Sequence, residues 1–228
     1  MSAIAGTTSH ASLPVRLAWR HPEWWALALS AGAWVLLLRG HAHAHAYGDL
    51  LQGWMVMSVA MMMPMVAEPM RLAAERSFWR RRHRAIAGFL TGYLGCWMLI
   101  GIAVSFVHVP MSFQNWAAAT AFAVAGAWQL TRWKRRALNG CHRSMPLAPR
   151  GWRADRDCIR FGALIGSRCV VSCWALMFAC FFSGHAVVAT LLVTAVGLAE
   201  RYTRRRPDQR LLSGVLFAAS LVYAALAV

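Results

Sequence analysis

The sequence predicts an all-α fold, a polytopic transmembrane helix bundle of about seven spans, and three observations carry that prediction. The 228 residues are 59% hydrophobic and only 14% charged, with a mean hydropathy of +0.45. Lys and Arg number 24 against 8 Asp and Glu, a formal net charge of +16. Apolar runs of about 17–25 residues, the length that crosses a bilayer, recur along the chain. A soluble basic protein that binds nucleic acid would not combine that hydropathy with 12 Trp and 12 Met. The apolar content excludes a disordered chain, and the length with only 6 Cys excludes a small disulfide-stapled scaffold.

The candidate spans are about 23–38, 50–69, 86–108, 115–131, 160–182, 185–200 and 211–228. The first follows Pro22 without a small-residue cleavage site, so it is expected to stay as an anchor and not be removed as a signal peptide. It and the sixth are short for a full crossing. In the second, Pro64 is expected to kink the helix and free a backbone carbonyl. The third and fourth are continuous apolar runs. The fifth carries three of the six cysteines and is separated from the sixth only by Ser183-Gly184-His185. That spacing predicts a tight helical hairpin, with a re-entrant hairpin as the alternative. The basic, proline-containing loop 132–159 is too short for a second domain, so residues 1–228 read as a single membrane domain.

The arginines support the same count independently, because positive charge is retained on the cytoplasmic side of a membrane. Two basic residues precede the first span, six follow the second, nine follow the fourth and five follow the sixth. Only Arg39, in an alternate loop, and Arg168, inside the fifth span, stand apart. Thus 22 of the 24 fall on one side, which places the N-terminus inside and the C-terminus outside an inner, cytoplasmic membrane. The charge reports orientation on a lipid bilayer and not a nucleic-acid partner.

Sulfur concentrates where the charge does not. Cys169, Cys173, Met177 and Cys180 lie within about 80° of one another on a helix, and Cys158, Gly162 and Gly166 extend that stripe toward the basic side. Cysteines at i and i+4 can share one metal ion, and thiolate with thioether is the ligand set that favours Cu(I). The plain alternative is that Cys and Gly are small residues which let helices approach closely. In the second span Met57, Met61 and Glu68 share one face. That span runs inward and the fifth outward, so Met57 and Met61 are expected at the depth of Cys169 and Cys173; a methionine-rich core is the plain alternative. Outside, His41, His43 and His45 alternate, so an extended segment presents all three imidazoles on one side as a capture site for metal, or as a solvated loop. His108 and His185, with Met111 nearby, mark the outer span ends, and Cys141-His142 sits in the inner basic loop. The intramembrane Arg168 is expected to pair with Glu68 or Glu200, since an unpaired charge is costly there.

Several of these elements form a pattern. Trp54 with Ala60-Met61-Met62-Met63-Pro64-Met65, and Ala125-Gly126-Ala127-Trp128-Gln129-Leu130 leading to Lys134 and Cys141-x-Arg143-Ser144, form its first half. Gly162-x3-Gly166-x2-Cys169-x3-Cys173-Trp174-Ala175-Leu176-Met177 and Glu200-Arg201 complete it. Together, over about residues 50–205, they resemble a bacterial family of predicted metal-binding integral membrane proteins, some of them suggested to be copper chaperones. The resemblance implies an inner-membrane helical protein that binds metal, with Cys141, Cys169 and Cys173 as sulfur ligands. Ser172 and Ala137 stand where many relatives have further cysteines. Those two departures shift weight to Met177, Cys180 and the methionines of the second span.

The leading expectation is a membrane protein that binds Cu(I) and passes it across the membrane or to a copper-receiving membrane or periplasmic protein. The sequence is also compatible with a homo-oligomer. It contains no ATP-binding loop, phosphorylated-aspartate motif or dinucleotide fingerprint. A membrane thiol-disulfide oxidoreductase is one alternative, but such chemistry favours exposed, closely spaced cysteines, and the outer loops here hold none. A structural subunit of a larger membrane complex is the other.

Overall fold

The computed structural model describes residues 21–39, 47–106, 113–141, 144–184, 186–202 and 208–227, without the side chains of 47–49 and 79. His41, His43, His45, His108, Met111, His142 and His185 lie outside the described residues. Within them the fold is all-helical, and no strand occurs. The helices are α1 (Trp24–Arg39), α2 (Tyr47–Met65), α3 (Ala67–Glu75), α4 (Arg82–Ser105), α5 (Gln114–Gln129), α6 (Arg132–Gly140), α7 (Gly151–Phe182), α8 (Val187–Tyr202) and α9 (Gln209–Ala225).

Within the described residues each of the seven apolar stretches is largely helical, the second being divided between α2 and α3. By length and composition α4 and α7 can cross a membrane, and the bent pair α2–α3 makes a third if it is counted as one span. The helices α1 and α9 are apolar but have only 16 and 17 residues. Between 132 and 159 the expected loop is largely helix, because α6 occupies its start and α7 begins at Gly151. At 1.5 Å per residue the 32-residue α7 is about 48 Å long, well beyond the roughly 30 Å of a hydrocarbon core. Cys158 therefore sits about two turns inside α7.

Pro64 acts as the sequence predicts. Lacking an N–H, it leaves the Ala60 carbonyl without its helical donor, and Ser30 Oγ of α1 donates to that oxygen at 2.8 Å. One turn later the chain turns by 68° into α3, and Tyr202 Oη of α8 donates to the Pro64 carbonyl at 2.5 Å. The bend carries Glu68 to an exposed position on α3. It does not share the buried methionine face, which corrects that expectation.

At the centre of the bundle is α7, which packs against α4, α5, α6 and α8. Its closest neighbour is α4, because Gly88 and Gly92 meet Gly162 and Gly166 along one seam. A Cβ at Gly92 would fall onto the Ile159 carbonyl, and one at Gly162 onto the Phe89 carbonyl. The two backbones thus touch, as small-residue seams allow in membrane bundles. The lower half of the cysteine stripe belongs to this seam: a Cβ at Gly88 would lie 3.3 Å from Cys158 Cβ. A second pair, α5 with α9, is tied by Ser213 Oγ donating to the Gly126 carbonyl and Ser220 Oγ to the Ala119 carbonyl.

Trp54 is buried in the core. Its Nε1 donates to the Trp97 carbonyl at 2.9 Å, and its ring meets Phe178 and Phe181 edge-on. Apolar side chains also cover the outside: Leu29, Leu36, Leu99, Val188, Leu191 and Leu221 are all more than half exposed.

Candidate metal centre

The centre is built on the middle of α7, where helical periodicity puts Cys169 and Cys173 one turn apart on the buried face. Their side chains interact with each other. Cys169 Sγ faces α2, where Met62 Sδ lies 3.9 Å away. On its other side Tyr93 Oη of α4 donates to Cys169 Sγ at 3.1 Å. Ser172 Oγ lies 3.4 Å from Cys173 Sγ. Three helices therefore meet at a buried junction of two thiols, a thioether and a phenol.

Cys141 approaches from a fourth direction. It ends α6, is only 2% exposed, and is electrostatically coupled to Cys173. Two arginines secure its turn: Arg168 Nη1 donates to the Gly140 carbonyl at 2.5 Å and Arg201 Nη2 to the Cys141 carbonyl at 3.4 Å. Burial pushes the Cys141 thiol above its ordinary pKa, the neighbouring Cys173 acts the same way, and Arg201 and Arg168 oppose them. The three cysteines named by the family resemblance thus lie in one region. No three His, Cys, Asp or Glu side chains among the described residues come close enough to hold one ion together. The adjacent soft donors are Cys169, Cys173 and Met62, with Cys141 farther off.

Other expected donors are placed elsewhere. Met57 and Met61 are fully buried in the core, but the methionine in contact with Cys169 is Met62. Three consecutive methionines leave periodicity unable to choose between neighbours 100° apart, and the packing of α2 on α7 makes the choice. Met177 is fully buried two turns beyond Cys169. Cys180 is about 16 Å further along the helix than Cys169 at 1.5 Å per residue, and its thiol faces the Ala189 carbonyl of α8 at 3.9 Å. All six cysteines are free thiols.

The charges near the centre differ from the expected pairing. Glu200 pairs with Lys134, Oε1 to Nζ 2.9 Å, and each side chain is only 1% exposed. Arg168 instead donates to the Gly140 carbonyl. The ion pair is a contact of charges without an aligned hydrogen bond, which leaves hydrogen-bonding capacity on both partners. Both charges act electrostatically on Cys173. Sequence reasoning included Lys134 in the family pattern but gave it no partner, although it is the only lysine in a chain otherwise basic through arginine. Tyr93 carried no comparable signal.

Such a junction can hold a soft, low-coordinate cation, because thiolate and thioether donors are polarizable and the two thiols are shielded from solvent. The chain matches the model of a family described as PpoB2: Copper chaperone over residues 51–224. No curated protein and no solved structure matches it.

Proposed function

From the premise that this chain belongs to the PpoB2 copper chaperone family, we propose that it is a multi-pass inner-membrane protein that binds Cu(I) as cargo and hands it to a copper-receiving protein. The observation that carries the reading is the meeting of Cys169 with Met62 at 3.9 Å, with Cys173 one turn away. Two thiols and a thioether in a dry junction suit Cu(I) better than any harder ion. Binding requires the thiols to lose their protons. Two thiolates and one Cu(I) carry one excess negative charge, and beside Cys173 stands the buried Lys134–Glu200 pair, which is neutral as a whole.

The membrane topology in this reading is a single domain of seven spans, N-terminus inside and C-terminus outside. It is supported by the 22 basic residues on one side and by the large apolar side chains exposed on the outer faces of the helices. His41, His43 and His45 then form an outer capture segment, Cys169 and Cys173 with Met62 a midway site, and Cys141 a step toward the inner face. The buried donors Met57, Met61, Met177 and Cys180 line the surrounding core.

The test is Cu(I) loading of the purified protein under anaerobic reducing conditions, followed by metal analysis after desalting. Cys169→Ser combined with Cys173→Ser is expected to weaken retention at least tenfold, about 1.4 kcal/mol. Retention unchanged in that variant, or no copper retained by the unaltered protein, overturns the proposal.

A further inference from the structure

A second site lies away from the sulfur junction, at the end of the α5–α9 pair. A cavity of about 510 Å³ opens there, lined by Gln129, Leu130, Arg135, Asp208, Gln209 and Arg210. Gln129 is fully buried, and among the described residues neither its Oε1 nor its Nε2 has a hydrogen-bond partner. Gln209 Oε1 is likewise buried without a donor. A buried amide left unpaired costs roughly 1–3 kcal/mol, so two such groups lining one cavity indicate a ligand that completes them.

The lining specifies that ligand. Arg135 and Arg210 on the exposed rim bring two guanidinium groups against the single carboxylate of Asp208, leaving one net positive charge. Asp208 is itself engaged, because its Oδ1 accepts the Arg210 backbone N–H at the start of α9. A monoanion balances this charge, and the planar fork of arginine matches phosphate oxygens. The Gln129 Nε2 donates to such an anion. The carbonyl oxygens of Gln129 and Gln209 need donors in return, which the alcohol hydroxyls of a glycerol phosphate ester supply at a distance from its phosphate.

We propose that this cavity binds a hydroxyl-bearing phosphate ester, with the phosphodiester monoanion of the phosphatidylglycerol headgroup as the best match in charge and soluble glycerol 3-phosphate as the other source. Basic pockets between helices at the cytoplasmic membrane face are suited to anionic headgroups. Phosphatidylcholine is a poor fit, because its quaternary ammonium offers no N–H and meets the two arginines. The site owes nothing to copper, so it stands or falls separately from the chaperone reading.

The experiment places the full-length protein in nanodiscs of phosphatidylcholine alone or mixed with phosphatidylglycerol, and in detergent with glycerol 3-phosphate or inorganic phosphate. Lipid retained in native mass spectra and the unfolding temperature are the readouts, and bound copper is measured on the same samples. The unaltered protein should keep phosphatidylglycerol selectively and melt at a higher temperature with it. Arg210→Gln, on the exposed rim, should lower that retention about tenfold, and Gln129→Leu should do the same if it folds. Stabilisation by phosphatidylglycerol alone upholds a lipid source, and equal stabilisation by glycerol 3-phosphate upholds a soluble one. No stabilisation by either, or a gain that Arg210→Gln leaves unchanged, overturns the inference whatever the copper content.

Discussion

At Lys134 the structure places a charge where sequence patterning reads only another basic loop residue. Its ammonium lies 2.9 Å from the Glu200 carboxylate, and both are shut away from solvent. Removing one member of such a pair strands the other. Lys134→Met is therefore expected to destabilise the protein by about 3–5 kcal/mol, and Lys134→Met with Glu200→Leu by much less. Thermal unfolding in detergent measures both, and equal losses in the single and double variants would contradict the pairing. The methionines offer a second comparison at this scale. Met→Leu conserves volume and usually costs under about 1.5 kcal/mol, so lost copper retention reports lost ligation and not lost packing. Met62→Leu is expected to lower Cu(I) retention severalfold, whereas Met57→Leu and Met61→Leu leave it nearly unchanged. The thiols Cys169 and Cys173 were legible because i, i+4 spacing is a local property. Met62 and Tyr93 were not, because their place beside Cys169 depends on how α2 and α4 are rotated against α7.

Among the elements, the helices themselves were legible from apolar runs, and their joints were not. Pro64 announced the kink, but nothing local announced that Ser30 would take up the freed carbonyl or that the chain would turn by 68° into α3. The α4–α7 seam is a further case. Gly162 and Gly166 belonged to the predicted stripe, and the structure assigns them to close backbone approach, not to the metal. Gly162→Ala and Gly92→Ala should each push the helices apart and destabilise by several kcal/mol, since the added carbon has no flexible neighbour to displace. Gly95→Ala, with open space around it, should be neutral or stabilising by up to about 1 kcal/mol. Equal unfolding temperatures for Gly92→Ala and Gly95→Ala would rule out the tight seam.

Over the whole molecule, charge and hydrophobicity divide the work. The segregation of arginine predicts that a reporter fused after residue 228 is active only if it folds outside the cytoplasm. Alkaline phosphatase at that position should be active and green fluorescent protein dark, and the reverse pattern would refute an outer C-terminus. Reading along the chain determined the class of the fold, the helical stretches, the clustering of positive charge between them and the thiol pair one turn apart. All of these follow from composition and short-range periodicity. Tertiary structure alone decided that Met62 and not Met61 meets Cys169, that Lys134 and not Arg168 meets Glu200, and that Cys180 turns to another helix. The physical reason is the same in each case. Helical periodicity sets the direction of a side chain relative to its own axis, while the partner it meets depends on the rotation and close approach of a second axis, which glycine seams and a proline bend set from far away in the chain.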